Sequence, residues 1–413
     1  MGKECSETEP PPKNTVGEVI SANAAKHGTL TTAPLGICIN IPLTADKPVN
    51  PDREIVKALL TEIRLYAEKY DRRPVTQLMW RNPYQITGGP EVTEILHYLS
   101  SRFCLNPATP HEYCAEVDLL TISEDQVALL RGLGFNQILL RLDAPMASSS
   151  REDTREKLRR RTQRLRDYRF VNIGVKLSYG HSAYGLYHQR QLLDTVIALQ
   201  PDLIILGEIS EDCLWDTDNT PLLPPATDIH SQFALLYHSL HNAGYRVIGN
   251  DCFVKPHDGL AVAQSNHRLR HTVLNYNTSN ASDLLGLGPG ACSQLGRSYS
   301  HNASDFGDYA LALRQELLPV RKSFTLSPTQ HLVRLVIDQA LCYHSIDVPY
   351  LESRYNTPLS PFLNNALGTL KSPCDEPLLH YDSDNRINLT SAGIFNLRAI
   401  CDALISAALN REI

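Results

Sequence analysis

Short apolar runs alternate with longer amphipathic stretches through the first half of this chain, and that alternation constrains the fold more than any single residue does. The runs fall at 36–42 (GICINIP), 75–80 (VTQLMW), 112–118 (EYCAEVD), 137–143 (QILLRLD), 172–179 (NIGVKLSY) and 203–207 (LIILG). Between them, helical periodicity covers residues near 52–70, 90–102, 122–132, 150–167 and 185–199. Apolar strands separated by helix-length segments predict a parallel sheet joined by crossover helices. Right-handed crossovers wind such units into a barrel or an open doubly wound sheet, and in both the functional groups gather at the carboxyl ends of the strands. The expected fold class is therefore α/β, a six-unit (β/α) partial TIM-type barrel with a side opening wide enough for a bulky substrate.

Beyond the sixth run the pattern changes. A helix at 226–243 leads into a strand at 245–249, and a Gly- and Asn-rich stretch follows from 249 to 302. Helices are expected at 327–343, 347–356 and 358–370, then an extended pair at 379–389 and a last helix at 391–408. Helices followed by a two-stranded wing (HYDSDNRINLT) suggest a small winged-helix-like unit. The organisation read from this is a flexible tail over 1–33, a barrel with its extension over 34–320, and a C-terminal helical domain over 321–413.

Several function classes are disfavoured by composition. A formal charge of −6 does not suit a protein that neutralises many phosphates, so no nucleic-acid partner is expected. No apolar run nears the roughly 20 residues that span a bilayer, and the polar, Pro-rich start has no apolar core of a signal peptide. The expected location is the cytoplasm. The 10 cysteines form no CxxC pair, so free thiols are expected and a locally encoded metal site is not.

The segment at 244–264 (GYRVIGNDCFVKPHDGLAVAQ), with 283–296 (DLLGLGPGACSQLG), resembles the oxygen-independent coproporphyrinogen III oxidases of the radical S-adenosylmethionine (SAM) superfamily. The resemblance runs in order through Ile39–Pro42, QLMW, EVD at Glu116–Asp118, GFN at Gly134–Asn136, the Tyr179–Gly180 pair and the segment at 389–401. It implies a six-unit partial barrel with a helical C-terminal domain, an iron-sulfur cluster that cleaves SAM, and radical decarboxylation of a propionate side chain. In such enzymes the cluster and SAM carry the chemistry while the protein supplies binding and geometry.

Against that pattern this chain departs at four places. No cysteine lies between Cys38 and Cys104: Thr44, Pro48 and Pro51 stand where the resemblance would place the three thiolates of a CxxxCxxC loop. Neither a hydroxyl nor a proline can replace a thiolate on iron. The family's Gly-rich turn after the second strand is Arg81-Asn82-Pro83 here, its ribose carboxylate corresponds to Lys176, and its glutamine to Asp143. Remnants of the SAM positions are Glu116, Arg155 and Tyr179. Neither cluster nor SAM is therefore expected as a cofactor, and no metal ligand is assigned.

A tetrapyrrole pocket would remain. Such ligands are apolar discs carrying several carboxylates and need an apolar slot rimmed by cations. Lys255, Arg268, Arg297 and Arg398 are the candidates for those carboxylates, each weighed against an ordinary surface role. Histidines 257, 267 and 271 and Cys252 are weaker candidates for haem iron. The glycines of GLGPG lack the context of a dinucleotide fingerprint and are read as a tight backbone passage. The Arg-rich run at 151–169 reads as a solvated helix that complements its own dipole. Arg81, Asp143 and Lys176 could form a new acid-base site, with ion pairing the plainer reading. The leading expectation is a cluster-less paralogue that binds a tetrapyrrole, or a partner in haem metabolism such as an active paralogue. The alternatives are an active radical SAM enzyme with a cluster on scattered cysteines such as Cys38, Cys104 and Cys114, and a barrel repurposed as a regulatory subunit or for another small molecule.

Overall fold

The computed structural model of the protein describes residues 33–41, 51–70, 72–84, 88–106, 110–142, 151–180, 186–208, 226–368, 370 and 376–409. The tail over 1–32, Thr44, Pro48 and Asp143 lie outside them. The expected alternation is realised as β1 (Leu35–Asn40), α1 (Pro51–Tyr70), β2 (Pro74–Arg81), α2 (Gly89–Arg102), β3 (Glu112–Asp118), α3 (Glu124–Gly132), β4 (Gln137–Arg141), α4 (Arg151–Asp167), β5 (Asn172–Tyr179), α5 (Leu186–Ala198) and β6 (Leu203–Glu208). These six strands pair in sequence order, all parallel.

Alternation along each strand decides what the sheet presents to either side. Ile37 and Ile39, Leu78 and Trp80, Val117, Leu140, Val175 and Leu206 point one way and enter one large core with the helices. Their neighbours, among them Arg81, Glu116 and Lys176, belong to the opposite face, because successive side chains of a strand alternate. The helices themselves are cut by local signals. Ser123 caps α3 by accepting from the Gln126 N–H, and Gln126 reciprocates, the box that satisfies two orphan amides at a helix start.

Chain order continues with α6 (Ala226–Asn242), β7 (Arg246–Ile248), β8 (Cys252–Val254), α7 (Gly259–Ser265), β9 (Asp283–Leu287), β10 (Cys292–Leu295), β11 (Ser298–Asn302), α8 (Phe306–Arg314) and β12 (Val320–Thr325). The Gly- and Asn-rich stretch is more regular than its composition suggests. From it β9 adds a seventh parallel strand beside β1, and β10, β11 and β12 extend the sheet antiparallel. The resulting 13-stranded sheet runs β12-β11-β10-β9-β1-β2-β3-β4-β5-β6-β8-β7, with the two-residue strand Cys104–Leu105 beside β2.

A second core gathers Val336, Leu351, Leu363, Ile387 and Leu404 from among α9 (Pro328–Tyr343), α10 (Val348–Tyr355), α11 (Ser360–Leu367), β13 (Leu379–Tyr381), β14 (Ile387–Leu389), α12 (Ser391–Phe395) and α13 (Leu397–Leu409), with Ile346 from the two-residue strand between α9 and α10. The single last helix expected at 391–408 is interrupted at Asn396, which caps α12. This break places Phe395 against α6, 5.3 Å from the ring of Phe233 and 5.2 Å from that of Tyr237. Polar contacts join the same two bodies: Gln264 donates to the Cys342 carbonyl at 3.0 Å, and His344 Nε2 donates to the Gly249 carbonyl at 2.8 Å. No helix among the described residues is long and apolar enough to cross a membrane.

Candidate functional site

Register places the polar ends of four parallel strands side by side. Arg81 of β2 is opposite Glu116 of β3, Asp118 of β3 is opposite Arg141 of β4, and Arg141 is opposite Lys176 of β5. Glu116 is 4% exposed, and two cations flank it: Arg81 Nε lies 3.8 Å from Oε2 and Lys176 Nζ 3.8 Å from Oε1. Lys176 is two strands from Glu116, a span of roughly 10 Å between backbones, which its long side chain crosses over β4. Both pairs exceed hydrogen-bond length, so the carboxylate is neutralised by proximity rather than by shared protons.

The turn after β2 is braced by a side chain. Asn82 has φ 54°, a left-handed conformation that asparagine tolerates better than most residues. Its N–H donates to the Glu116 carbonyl at 3.0 Å, its Nδ2 donates to the Ile41 carbonyl at 3.0 Å, and its Oδ1 accepts from Arg141. One asparagine thus ties the ends of β1, β3 and β4 together. Arg81 and Lys176 each pair ionically with Glu116, while Asp143, the third member of the expected trio, lies outside the described residues.

Beside this ionic array sits the GLGPG loop, held by a residue that sequence reasoning passed over. Glu62 of α1 is fully buried and accepts from the Gly288 N–H (2.8 Å), the Tyr309 hydroxyl (2.6 Å) and Asn302 Nδ2 (2.7 Å). Burial pushes its carboxyl up to about 7, even though all three donors favour the anion. Gly288 has φ +100°, and a Cβ there would collide with the Asn40 carbonyl. Asn40 in turn donates to the Pro289 carbonyl at 2.7 Å. The signal for Glu62 was present: it interrupts the buried face of α1 formed by Leu59, Ile63 and Tyr66.

The other expected residues do not all converge here. Arg155 Nε donates to Thr195 Oγ1 of α5 at 3.3 Å, so that remnant position is engaged with a neighbouring helix. Tyr179 ends β5 with its ring 5.6 Å from Phe233, and burial beside Glu208 raises its hydroxyl. Arg398 of α13 pairs with Glu208 at the end of β6, which brings it to the carboxyl edge of the sheet.

Among the tetrapyrrole-carboxylate candidates, Lys255 is engaged within the fold. It pairs with Asp202 at 3.0 Å and the Gln200 carbonyl at 2.8 Å, just before β6 begins, at the far edge from Arg398. Arg268 and Arg297 are exposed, the latter in the turn between β10 and β11. Lys255 and Arg398 thus sit at opposite edges of the sheet. His257 and His267 are exposed, His271 lies 3.5 Å from Asp338, and burial holds the Cys252 thiol well above its ordinary range. Within the Arg-rich run, Arg159 and Arg160 both pair with Glu156, as expected of a solvated helix.

Among the described residues the donor set does not fit an iron-sulfur cluster. Among the described residues no group of three or more His, Cys, Asp or Glu side chains is arranged to hold a metal ion. Cys38 is buried in β1 with its thiol pushed up to about 11, burial also raises Cys114, and Cys104 lies beside Pro74 at the start of β2. A cluster needs thiolates, and burial disfavours that form at Cys38 and Cys114.

No protein-family model matches the chain. Its architecture is shared with a solved structure described as "Coproporphyrinogen III oxidase (HemN) from Escherichia coli is a Radical SAM enzyme": the TM-score is 0.78 at 22% identity, covering 94% of this chain and 93% of that one. The fold is thus that of a radical SAM enzyme, α/β with a large parallel sheet. Among curated relatives, the oxygen-independent coproporphyrinogen III oxidase of Synechocystis is 30% identical over 330 residues, spanning 77% of this chain and 69% of that protein. The one from Pseudomonas aeruginosa is 26% identical over 94% of this chain and 88% of its own length. The chain belongs to the oxygen-independent coproporphyrinogen III oxidase family.

Proposed function

We propose that this chain is a cluster-less member of its family which binds a tetrapyrrole, or a protein of haem metabolism, without radical chemistry. The observation carrying the proposal is the array at the strand ends: Arg81 and Lys176 close on Glu116, and Asn82 braces three strands where the resemblance places a glycine turn for SAM. Those substitutions fill approach space with side chains and replace a ribose carboxylate by a cation. In this reading the parallel strands curve as a partial barrel, the C-terminal helices with their hairpin form a winged-helix-like unit over 321–413, and the protein works in the cytosol, where an active paralogue is a suitable partner.

Anaerobic reconstitution with iron and sulfide, followed by absorption spectroscopy and a SAM-cleavage assay, tests the first half of the proposal. The expected result is no stoichiometric cluster band and no cleavage; a cluster with SAM turnover overturns it. Titration with coproporphyrin III and haem tests the second half. Saturable binding below about millimolar, a free energy beyond roughly −4 kcal/mol, is expected.

A further inference from the structure

We infer that Arg81 and Lys176 form an oxyanion-binding site at the carboxyl ends of β2 and β5, taking a ligand carboxylate between them with Glu116 as the competing internal anion. For a tetrapyrrole ligand this rests on the reading above; the site itself rests on geometry alone. Both cations stand 3.8 Å from Glu116, beyond hydrogen-bond length, and their side chains are 37% and 34% exposed. Arg81 Nε is buried and meets no acceptor among the described residues. A buried guanidinium nitrogen without an acceptor is costly, and a bound oxyanion would supply one.

Charge at this edge favours an anion over a cation. Arg81, Arg141 and Lys176 face Glu116 and Asp118, and Asp118 is turned to its own loop, accepting from the Leu120 N–H at 2.7 Å. Arg141 is engaged by Asn82, which fixes the second row of positive charge without spending Arg81 or Lys176 on it. A carboxylate or phosphate oxygen placed between the two flanking cations would take charge-assisted hydrogen bonds that Glu116, at its present distance, does not. Carboxylate and phosphate share that chemistry, so their sources must be separated by experiment.

The test uses the full chain with three probes: coproporphyrin III by fluorescence quenching, and citrate and inorganic phosphate by calorimetry. Variants are Lys176→Met, Arg81→Gln and Glu116→Gln, with Arg159→Ala on the solvated helix α4 as a comparison outside the site and thermal unfolding as a check on folding. Removing either cation is expected to weaken binding roughly tenfold or more, the scale of a lost charge-assisted hydrogen bond. Glu116→Gln is expected to tighten it several-fold, a gain that damage to the fold would not produce. Citrate or phosphate binding with this dependence, but no coproporphyrin binding, leaves the site standing and removes the tetrapyrrole. Coproporphyrin bound equally by wild type, Lys176→Met and Glu116→Gln overturns the site and leaves the tetrapyrrole reading intact. If no probe binds the wild type, the site is refuted. Should Lys176→Met fail to fold, the opposite signs expected of Arg81→Gln and Glu116→Gln decide the matter.

Discussion

Replacing Glu62 with glutamine separates the two things this buried carboxyl does. As a proton carrier it sits at about 7 against an ordinary 4.5, raised chiefly by burial. The folded state therefore binds more protons than the unfolded chain between those values, and stability must fall as pH rises through that window. Across the whole window the loss is about 3 kcal/mol, at about 1.4 kcal/mol for each pH interval of one. Between pH 5.5 and 8, where other acid transitions interfere less, it is about 2 kcal/mol. As a hydrogen-bond hub, Glu62 offers two acceptor oxygens to three donors, from Gly288, Tyr309 and Asn302. Glutamine turns one acceptor into a donor, so whichever way its amide faces, a donor meets a donor. That costs about 1–3 kcal/mol. Urea unfolding at the two pH values should thus find the Gln variant less stable at pH 5.5 and the deficit smaller, by about 2 kcal/mol, at pH 8. Parallel pH dependences for the two proteins would refute the argument, since they would mean that Glu62 does not hold a proton in the fold.

Three further outcomes follow from the same geometry. Gly288→Ala puts a Cβ into the Asn40 carbonyl at a left-handed φ, and is expected to destabilise by about 2 kcal/mol or more and to loosen the loop between β9 and β10, seen as faster amide exchange there; an unaltered exchange pattern would count against the close approach. Phe395→Ala removes the ring lodged against Phe233 and Tyr237, and at about 2 kcal/mol should split the thermal transition so that the C-terminal helices melt first; a single transition shifted as a whole would show the two bodies to be one cooperative unit. Alkylation at pH 8 should modify exposed Cys104 and Cys292 in the native protein while Cys38, its thiol pushed up to about 11 by burial, reacts only on unfolding; early labelling of Cys38, read by peptide mass spectrometry, would contradict its burial.

What could be read from the sequence divides along a physical line. Strand and helix positions follow from periodicity, a property of neighbours in the chain, and β3 and β5 are found at the boundaries expected of them. Strand β9 escaped because DLLGL is flanked by glycines and polar residues, so that local signals read as loop; only its pairing with β1, across almost 250 residues, makes it a strand. Among site residues the same contrast holds. Glu116 and Lys176 could be singled out because a resemblance marks strand ends, yet their pairing depends on a side chain crossing β4, which no spacing encodes. Lys255 shows the converse: it lies inside the most specific motif, but β8 runs antiparallel to β6 and delivers it to Asp202 at the opposite edge. A motif thus marks which residues a fold brings together, and strand direction decides the end of the sheet at which they act. By that rule the positions worth testing for ligand binding are those whose strands run parallel and end around Glu116 and Asp118, namely Arg81, Arg141 and Lys176.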